Sequence, residues 1–492
     1  MTPVSLLERR TFLEALGAAT LSSISPSAAF AAASPDYVIR IGRAMLELAP
    51  GRHVTTTTYN GQFPGPLLRL REGRRVVIDI HNETAIPEQL HWHGQFVSSD
   101  VDGAAEEGAP YIPSHGTRRI AFTPKPAGLR FYHTHLRAGA NLEMGQYGGE
   151  VGPVYIEPAH DPGAYDREVF LTLKEFEPSL SRGGDMAMDF LSPATRAPEL
   201  VQQGETAMKA SLAAGMPKGY EVGYQSFTIN GRMLGHGEPI RVKRRERVLF
   251  HVLNGSATEI RSLALPGHTF RVVALDGNPV PTPRSVPVLW IGTAERVDAI
   301  VEMNEPGVWI LGDTSNDDRT HGMGIVVEYV GSHGPPRWRT PRPSRWDYTW
   351  FGTSDAPRPE PDETIAFRFD KRNAADRGFN MWTINGKPYG NETEAAMTQM
   401  RPLVHLHEGR RYRITMHNAS DDIHPVHLHR HSFELTRIAG KPTAGVMKDV
   451  MMLGGYQTAE LEFVADNPGL TLFHCHQQLH MDFGFMTLFD YV

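Results

Sequence analysis

Short stretches in which apolar and polar residues alternate recur along the chain, and they predict β-strands. Successive side chains of a strand point to opposite faces, so this alternation is typical of a sheet with one buried face. Each of the clearest stretches ends at an asparagine: Asn82, Asn254 or Asn418. The apolar positions before these asparagines are Val76, Ile78 and Ile80; Val248, Phe250 and Val252; and Tyr412, Ile414 and Met416.

The same order of signals surrounds each stretch. An Asn-Gly pair comes before it, beginning at Asn60, Asn230 or Asn385, at intervals of 170 and 155 residues. A glycine turn comes after it: Ala127-Gly128, Pro306-Gly307 or Pro468-Gly469. Repetition at this length indicates duplicated domains, and many short strands with Gly and Pro turns are typical of Greek-key β-sandwiches. The predicted fold class is therefore all-β, with three tandem Greek-key β-sandwich domains.

The predicted organisation has five parts. They are an export signal at 1–33, a first domain at 34–160, a second at 161–335, a linker at 336–362 and a third domain at 363–492. Residues 331–362 are rich in Pro, Arg and Trp, which is typical of a connection between domains. The segment from Ser179 to Gly219 is a long insertion. For its methionines we favour packing over binding of a soft metal ion: Met186, Met188, Met208 and Met216.

The N-terminus resembles a twin-arginine export signal. Arg9-Arg10-Thr11-Phe12-Leu13 precedes a short, moderately apolar run of small residues that ends near Ala33, whereas a membrane span needs about 20 apolar residues. An ordinary N-terminal helix is the alternative. We expect cleavage near Ser34, a periplasmic or secreted protein, and no membrane span elsewhere in the chain.

Composition narrows the classes of partner and cofactor. The formal charge of −7, from 49 basic and 56 acidic residues, is mild and interspersed, so nucleic acid is not an expected partner. A length of 492 residues predicts two to four domains. The single cysteine, Cys475, cannot form an internal disulfide in an exported chain, and metal binding is another use for a thiol.

Ten histidines accompany this cysteine in four motifs. The motifs are His91-Trp92-His93-Gly94, His133-Thr134-His135, His424-Pro425-Val426-His427-Leu428-His429 and His474-Cys475-His476 with His480. A thiolate with imidazoles suits copper. The alternative is a buried free thiol among hydrogen-bonded histidines.

Aligning the repeats on their asparagines places the histidine pairs in matching positions. His91 and His93 lie 9 and 11 residues past Asn82, as His427 and His429 do past Asn418. The pairs His133/His135 and His474/His476 likewise match each other after Gly128 and Gly469. The corresponding positions of the middle repeat hold no histidine but Leu263, Leu265, Gly312 and Thr314. Because residues i and i+2 of a strand share a face, the outer domains can enclose a cluster of eight imidazoles, with the middle domain as a spacer.

The four motifs together resemble those of the multicopper oxidases, in the three-domain laccase-like branch, which is built of cupredoxin domains. The resemblance implies four copper ions and dioxygen as co-substrate. It assigns the type 1 copper to His424, Cys475 and His480, the type 2 copper to His91 and His427, and the type 3 pair to His93, His133 and His476 and to His135, His429 and His474. It further implies that electrons pass from Cys475 to both neighbouring histidines.

The chain departs from the family pattern at several positions. Phe485 stands where many members place an axial methionine, which predicts a high type 1 potential unless Met486 binds instead. Asp102 lies where related bacterial oxidases carry an acid near the oxygen cluster, and it either relays protons or shapes an Asp-Gly turn. Met481 replaces a glutamate that follows the last type 1 histidine in some relatives, although Asp482 is adjacent. Arg430 replaces a common glycine, and a surface or ligand-supporting contact is all that the sequence suggests for it.

By resemblance, the favoured activity is one-electron oxidation of phenols or aromatic amines, at a shallow site beside an exposed edge of His480. A metallo-oxidase acting on Cu(I) or Fe(II) is the first alternative, and a copper-free exported scaffold is the second. The complete set of ligands disfavours the scaffold. The third repeat disfavours a two-domain nitrite reductase. We expect a monomer, and we expect the remaining histidine pair, His405 and His407, to be solvated.

Overall fold

Three successive stretches of the chain each build a pair of β-sheets. The computed structural model describes residues 34–159, 164–181, 202, 219–353, 358–389 and 403–492. The predicted export signal and most of the methionine-containing insertion lie outside these residues. Among the residues described, no helix has the length and apolar character needed to cross a membrane.

The first stretch forms two four-stranded sheets, with strand orders β2-β1-β4-β6 and β3-β8-β7-β5. Its strands are β1 (Tyr37–Ala49), β2 (Arg52–Tyr59), β3 (Leu68–Arg71), β4 (Val76–Asn82), β5 (His91–His93), β6 (Thr117–Phe122), β7 (Gly128–His133) and β8 (Val151–Glu157).

The middle stretch forms a six-stranded and a five-stranded sheet. Its strands are β9 (Arg167–Ser181), β10 (Glu221–Ile229), β11 (Ile240–Val242), β12 (Arg247–Asn254), β13 (Arg261–Ala264), β14 (Phe270–Leu275), β15 (Asn278–Val286), β16 (Leu289–Ile291), β17 (Arg296–Glu302), β18 (Val308–Asp313) and β19 (Gly324–Tyr329). The strand orders are β10-β9-β12-β17-β14-β15 and β11-β19-β18-β13-β16.

The last stretch repeats this arrangement. Its strands are β20 (Glu363–Asp376), β21 (Phe379–Ile384), β22 (Val404–Leu406), β23 (Arg411–Asn418), β24 (His424–Leu428), β25 (Phe433–Ile438), β26 (Lys441–Lys448), β27 (Val450–Leu453), β28 (Thr458–Val464), β29 (Thr471–Cys475) and β30 (Met486–Tyr491). The strand orders are β21-β20-β23-β28-β25-β26 and β22-β30-β29-β24-β27. The predicted all-β class with three sandwiches is confirmed.

Short helices join some of these strands. The α-helical turns are α1 (Ser99–Asp102), α2 (Asn316–Thr320) and α3 (Gln478–Asp482), and 3-10 turns occur at Ala105–Glu107, Gly145–Tyr147 and Tyr348–Trp350. The turns α1 and α3 lie beside the histidine motifs.

The Asn-Gly pairs make the same turn in all three stretches. Each asparagine has a positive φ, from 52° to 54°, and the following glycine also has a positive φ. Each asparagine side chain accepts a backbone N–H from the strand that begins its stretch: from Arg40 at 2.6 Å, Thr172 at 2.7 Å and Arg368 at 2.8 Å. The repeat seen in the sequence is therefore a repeat of hydrogen bonds.

In its described residues, the predicted linker packs against the sandwiches at two places. Arg337 exchanges backbone hydrogen bonds of 3.0 Å with Val308 and Ile310, which extends the sheet that contains β18. Further along, Trp346, Tyr348 and Phe351 are 0% exposed and belong to the large apolar core of the middle and last stretches. The domain boundaries themselves stay a prediction.

Arg430 is a buried tie between the first and last stretches. It is 1% exposed, and its backbone has φ 60°, in the left-handed region that favours the glycine found at this position in laccases. Its five N–H donors are all used. The acceptors are the carbonyl oxygens of Val97, Asn467, Pro468 and Leu470 and the hydroxyl of Thr471, at 2.6 to 3.0 Å. Of the two roles suggested from the sequence, the surface one is therefore wrong.

We expect Arg430→Gly to destabilise the protein although glycine suits its backbone. Relief of left-handed strain returns about 1–2 kcal/mol, but five hydrogen bonds of about 1 kcal/mol each are lost and buried carbonyl groups are left unpaired. The free energy of unfolding should fall by about 2–4 kcal/mol, measured by urea denaturation of metal-free protein. The matched control is Arg377→Gly, at a residue that also has a positive φ of 47° but whose side chain is 77% exposed. Equal effects of the two substitutions would contradict this account.

Candidate metal centre

Paired strands bring the histidine motifs side by side. In the first stretch β5 pairs with β7, so that His91 lies opposite His133. In the last stretch β24 pairs with β29, so that His427 lies opposite His474. The equivalent pair in the middle stretch, β13 with β18, places Leu263 opposite Asp313. The two outer stretches therefore carry equivalent histidine sites on equivalent strands.

The structure brings together every histidine of the four motifs and the cysteine. Within each group below, the candidate ligand atoms lie within 4.8 Å of one another, and all the side chains are buried. The groups are His91, His93 and His427; His93, His133 and His476; His135, His429 and His474; His424, Cys475 and His480; and His91, Asp102 and His429. The first three groups each join histidines of the first and last stretches.

Imidazole nitrogens of the motifs face each other at close range. Nε2 of His429 lies 2.9 Å from Nε2 of His474, and Nε2 of His133 lies 3.4 Å from Nε2 of His476. The Nδ1 atoms of His133 and His474 donate to the backbone carbonyls of Thr134 and Cys475, at 2.7 and 2.8 Å. Nδ1 of His429 donates to Asp102 at 2.9 Å. A neutral imidazole has one N–H, so the facing Nε2 atoms of His429 and His474 carry lone pairs.

A metal ion relieves this opposition of lone pairs. Two imidazole nitrogens bound to one ion at about 2.0 Å lie roughly 3–4 Å apart, close to the separations seen here. Nε2 of His91, Nδ1 of His93 and Nε2 of His427 are buried and have no hydrogen-bond partner among the described residues. The donor set therefore fits bound metal ions.

The cysteine lies in a separate group of ligands, whose surroundings are mostly apolar. Its Sγ is 3.6 Å from Nδ1 of His424 and 3.4 Å from Nδ1 of His480, and these two nitrogens are 3.1 Å apart. Nε2 of His424 donates to the hydroxyl of Ser420 at 2.8 Å, which leaves Nδ1 of His424 as the acceptor that faces the sulfur. A thiolate with two imidazoles is the ligand set of a blue-copper site.

In the absence of a metal, burial favours the uncharged form of the imidazoles and of the thiol. Burial lowers the pKa of His480 to about 4. Burial, with neighbouring histidines, also lowers the pKa of the other shifted cluster histidines well below the ordinary value: His93, His133, His427, His429, His474 and His476. Neutral imidazoles can bind a metal at once. Burial raises the pKa of the Cys475 thiol, so metal binding at this residue must release a proton.

Asp102 contacts one histidine from each outer stretch. Its Oδ2 accepts from Nδ1 of His91 and from Nδ1 of His429, both at 2.9 Å. It also ends helix α1, and Gly103 follows with φ 93°. The Asp-Gly turn is thus present, and the carboxylate is 0% exposed beside the histidines, whereas the proton relay stays a prediction.

Glu107, which the sequence reasoning missed, lies beside Asp102. Its Oε1 is 3.3 Å from Nδ1 of His429 and accepts the backbone N–H of Leu472 at 2.6 Å. Burial and the charge of Asp102 raise the pKa of Glu107 well above its usual value. Burial and Asp102 therefore favour the protonated form of this acid next to the histidine cluster. A Glu in a short loop after Asp102 carries no signal that would single it out.

The expected open edge of His480 is absent. His480 is 2% exposed, and the ring of Trp382 stacks on it with a centroid distance of 4.0 Å and an angle of 30°. Nε1 of Trp382 donates to Asp422 at 2.9 Å, and Lys371 forms ion pairs with Asp422 and Asp421. The prediction of a shallow site at an exposed histidine edge is therefore wrong, because an aromatic side chain from β21 covers the ring.

Phe485, not Met486, lies beside the cysteine group. The Phe485 ring is 4.5 Å from the ring of His424, and Phe485 is 0% exposed. Met486 packs in a different apolar cluster, with Leu472, Met481 and Leu488. Neighbouring residues of a strand face opposite sides, and this explains why the methionine is turned away.

Asp482 joins helix α3 to the first stretch. Its carboxylate accepts the backbone N–H groups of Ala138 and Gly139, at 3.0 and 2.7 Å, and an N–H of Gln478. Burial raises its pKa to about 6. The Asp482 carboxylate is used by these structural contacts. It therefore does not take the place of the glutamate that some relatives have where this chain has Met481. The remaining pair, His405 and His407, is exposed as expected.

Comparison with known proteins agrees with the motifs. Family models described as multicopper oxidase match residues 41–161, 197–329 and 358–492. The multicopper oxidase MmcO of Mycobacterium tuberculosis is 29% identical over 460 residues, which cover 90% of this chain and 84% of that protein. The chain belongs to the multicopper oxidase family.

Two further similarities extend over most of this multicopper oxidase. Laccase-2 of Fomitopsis schrenkii is 26% identical over 481 residues, covering 87% of this chain and 84% of that protein. The crystal structure of a multi-copper oxidase from Pseudomonas thermotolerans is 25% identical, with a TM-score of 0.68, and the match covers 93% of this chain and 100% of that one. Membership in the family makes the protein a copper-binding oxidoreductase with oxygen as acceptor.

Proposed function

We propose that this multicopper oxidase is laccase-like and holds four copper ions in the ligand groups expected from the sequence. The ligands are His424, Cys475 and His480 for type 1; His91 and His427 for type 2; and His93, His133 and His476 with His135, His429 and His474 for the type 3 pair. The observation that carries the proposal is the set of buried imidazole nitrogens that face one another: Nε2 of His429 and Nε2 of His474 lie 2.9 Å apart within the last stretch, and Nε2 of His133 and Nε2 of His476 lie 3.4 Å apart across the two outer stretches.

When bound, the copper ions supply one-electron oxidation of phenols or aromatic amines at the thiolate site and four-electron reduction of dioxygen to water at the cluster. The chain supplies the connection between the two places. Cys475 is joined through the backbone to His474 and His476, and these two belong to different histidine groups. Complete burial of these residues excludes bulk water from the route.

Asp102 and Glu107 are the proposed source of protons for oxygen reduction. The Asp102 carboxylate contacts His91 and His429, and burial and Asp102 raise the pKa of the neighbouring Glu107, which favours its protonated form. Two adjacent acidic side chains can pass protons one at a time to a neighbouring site. Asp102 would also be needed to orient the two histidines, and substitution by asparagine separates these roles because it preserves shape.

A metallo-oxidase is the second candidate, and the surroundings of His480 favour it. The ring of His480 is covered, which limits direct contact with a bulky phenol. Carboxylates lie nearby: Asp421 and Asp422 on Lys371, and Glu221, whose pKa burial and Asp422 raise to about 8. Such groups suit a reduced metal ion as electron donor.

We also propose that the chain is exported by the twin-arginine route and acts as a monomer. The support for export is the motif at Arg9 and Arg10 with its following apolar run. The N-terminal residue of the mature protein, expected near Ser34, decides whether the signal is removed.

Oxygen uptake by copper-loaded protein distinguishes the candidate functions. We expect about four molecules of 2,6-dimethoxyphenol oxidised per dioxygen consumed, and four coppers per chain by elemental analysis, since each phenol gives one electron. Oxygen uptake that saturates as the Cu(I) concentration rises, but is negligible with the phenol, would favour the metallo-oxidase instead. Protein that holds no copper under ample supply would exclude both. Cys475→Ser, which removes the thiolate, is the control for uptake through the type 1 site.

Asp102→Asn should slow reoxidation by dioxygen by about 10²- to 10⁴-fold, the usual contribution of a positioned general acid. Anaerobic reduction of the blue copper by the phenol should be unchanged, because Asp102 does not contact the cysteine group. Stopped-flow absorbance measures both steps. Equal losses in the two steps would exclude a proton-donating role, and Glu107→Gln should give a smaller loss of the same kind.

The type 1 potential should lie in the upper part of the family's range. An apolar Phe485 in place of a thioether favours Cu(I). A redox titration of the blue absorption measures the potential, and Phe485→Met should lower it. A wild-type potential equal to that of relatives with an axial methionine would contradict this assignment.

A further inference from the structure

Arg296, at the start of β17 in the middle stretch, uses its entire guanidinium group beside the histidine cluster. It is 0% exposed. Its Nη1 and Nη2 bind the two carboxylate oxygens of Asp449 at 2.7 and 2.5 Å. The three remaining N–H groups donate to the backbone carbonyls of Leu129, Asp276 and Ala294, at 2.9 to 3.3 Å. A guanidinium has five donors, and here one side chain joins all three stretches.

Asp449 in turn binds two cluster histidines, one from each outer stretch. Its Oδ1 accepts from Nε2 of His93 at 3.0 Å, and its backbone carbonyl accepts from Nδ1 of His427 at 2.7 Å. These two rings stack with a centroid distance of 3.8 Å and an angle of 14°. With one nitrogen of each ring occupied, Nδ1 of His93 and Nε2 of His427 are left as the metal-facing atoms, and both lack a hydrogen-bond partner among the described residues.

The glycine of the first histidine motif is explained by the same contact. Gly94 has φ 76°, and a Cβ there would approach Oδ2 of Asp449 to 2.6 Å and Nη2 of Arg296 to 3.1 Å. The ion pair therefore packs directly against the His-x-His-Gly turn. Arg130, also 0% exposed, lies 3.6 Å from Asp449 on the other side.

We propose that Arg296 is a positioning residue for the copper cluster, which acts by holding Asp449 where its carboxylate orients His93 and its backbone carbonyl orients His427. The inference rests on the proposed function, since it takes those two histidines as copper ligands. It assigns the middle stretch a part in the centre, whereas the repeat alignment predicted only a spacer there.

The geometry explains why an arginine is needed. Without Arg296 the buried Asp449 carboxylate would lose both of its guanidinium hydrogen bonds and keep only Arg130, 3.6 Å away, as a cation, which is costly for a buried charge. A lysine ammonium at this position could neutralise the charge, but it could not donate two parallel hydrogen bonds to the carboxylate oxygens in one plane. Groups that orient metal-binding histidines commonly change metal affinity by about 10- to 100-fold when substituted.

The test compares Arg296→Gln and Arg296→Lys with the wild-type protein, each loaded with copper. The readouts are copper retained per chain against increasing chelator, the electron paramagnetic resonance signal of the type 2 copper, and the blue absorption of the type 1 copper. We expect Arg296→Gln to lose cluster copper at about 10- to 100-fold lower chelator concentration, with an altered type 2 signal and an unchanged blue absorption. Arg296→Lys should lie between it and the wild type.

The matched control is Arg261→Gln. Arg261 is likewise 0% exposed in the middle stretch and pairs with Glu175 and Asp318 at 2.6 Å, away from the histidines. It should lower thermal stability without changing the cluster signals. Equal effects of Arg261→Gln and Arg296→Gln on copper retention would show a general loss of structure and overturn the proposal.

Other outcomes are equally decisive. A cluster in Arg296→Gln with wild-type affinity and signals overturns the role of Arg296 while leaving the proposed function intact. Wild-type protein without cluster copper overturns the proposed function itself. If Arg296→Gln does not fold, Arg296→Lys and Asp449→Asn carry the test, and wild-type cluster signals in both would end the proposal.

Discussion

The opposition of unprotonated imidazole nitrogens is the constraint on which the rest of the structure depends. Two related sandwiches each present pairs of histidines, and their Nε2 atoms meet within the last stretch, at 2.9 Å between His429 and His474, and across the two stretches, at 3.4 Å between His133 and His476. In the absence of a cation this arrangement is repulsive, and it is buried from water that could relieve it. The fold must therefore hold the histidines by other contacts, and bound copper turns the repulsion into coordination.

Those other contacts are hydrogen bonds to the second nitrogen of six of the eight cluster rings. Backbone carbonyls hold His133 and His474, Asp102 holds His91 and His429, and Asp449 holds His93 and His427. Each aspartate in this list binds one histidine from each outer stretch, Asp102 through its carboxylate and Asp449 through its carboxylate and its backbone carbonyl. Docking of the sandwiches and orientation of the ligands are thus the same set of interactions, and neither can be changed alone.

The cysteine group follows a different physical rule. It is enclosed by apolar and aromatic side chains, with Phe485 against His424 and Trp382 stacked on His480. Low polarity and the absence of a thioether both favour the reduced ion. Asp422 accepts the N–H of Trp382, whose ring covers His480. The surface beside His480 therefore differs from an open histidine edge.

The sequence by itself determined the fold class, the three repeats and the candidate ligands, because strand alternation, Asn-Gly turns and His-x-His spacing are local signals that survive without coordinates, and the resemblance to multicopper oxidases supplied the grouping of these ligands into copper sites. Only the tertiary structure decided which groups support those ligands. Asp449 and Arg296 are 153 residues apart, and Arg430 gains its contacts from Val97 and from residues 467–471. The covering of His480 by Trp382 was likewise missed. Contacts of this kind depend on how the sandwiches dock, and docking leaves no periodicity in the chain.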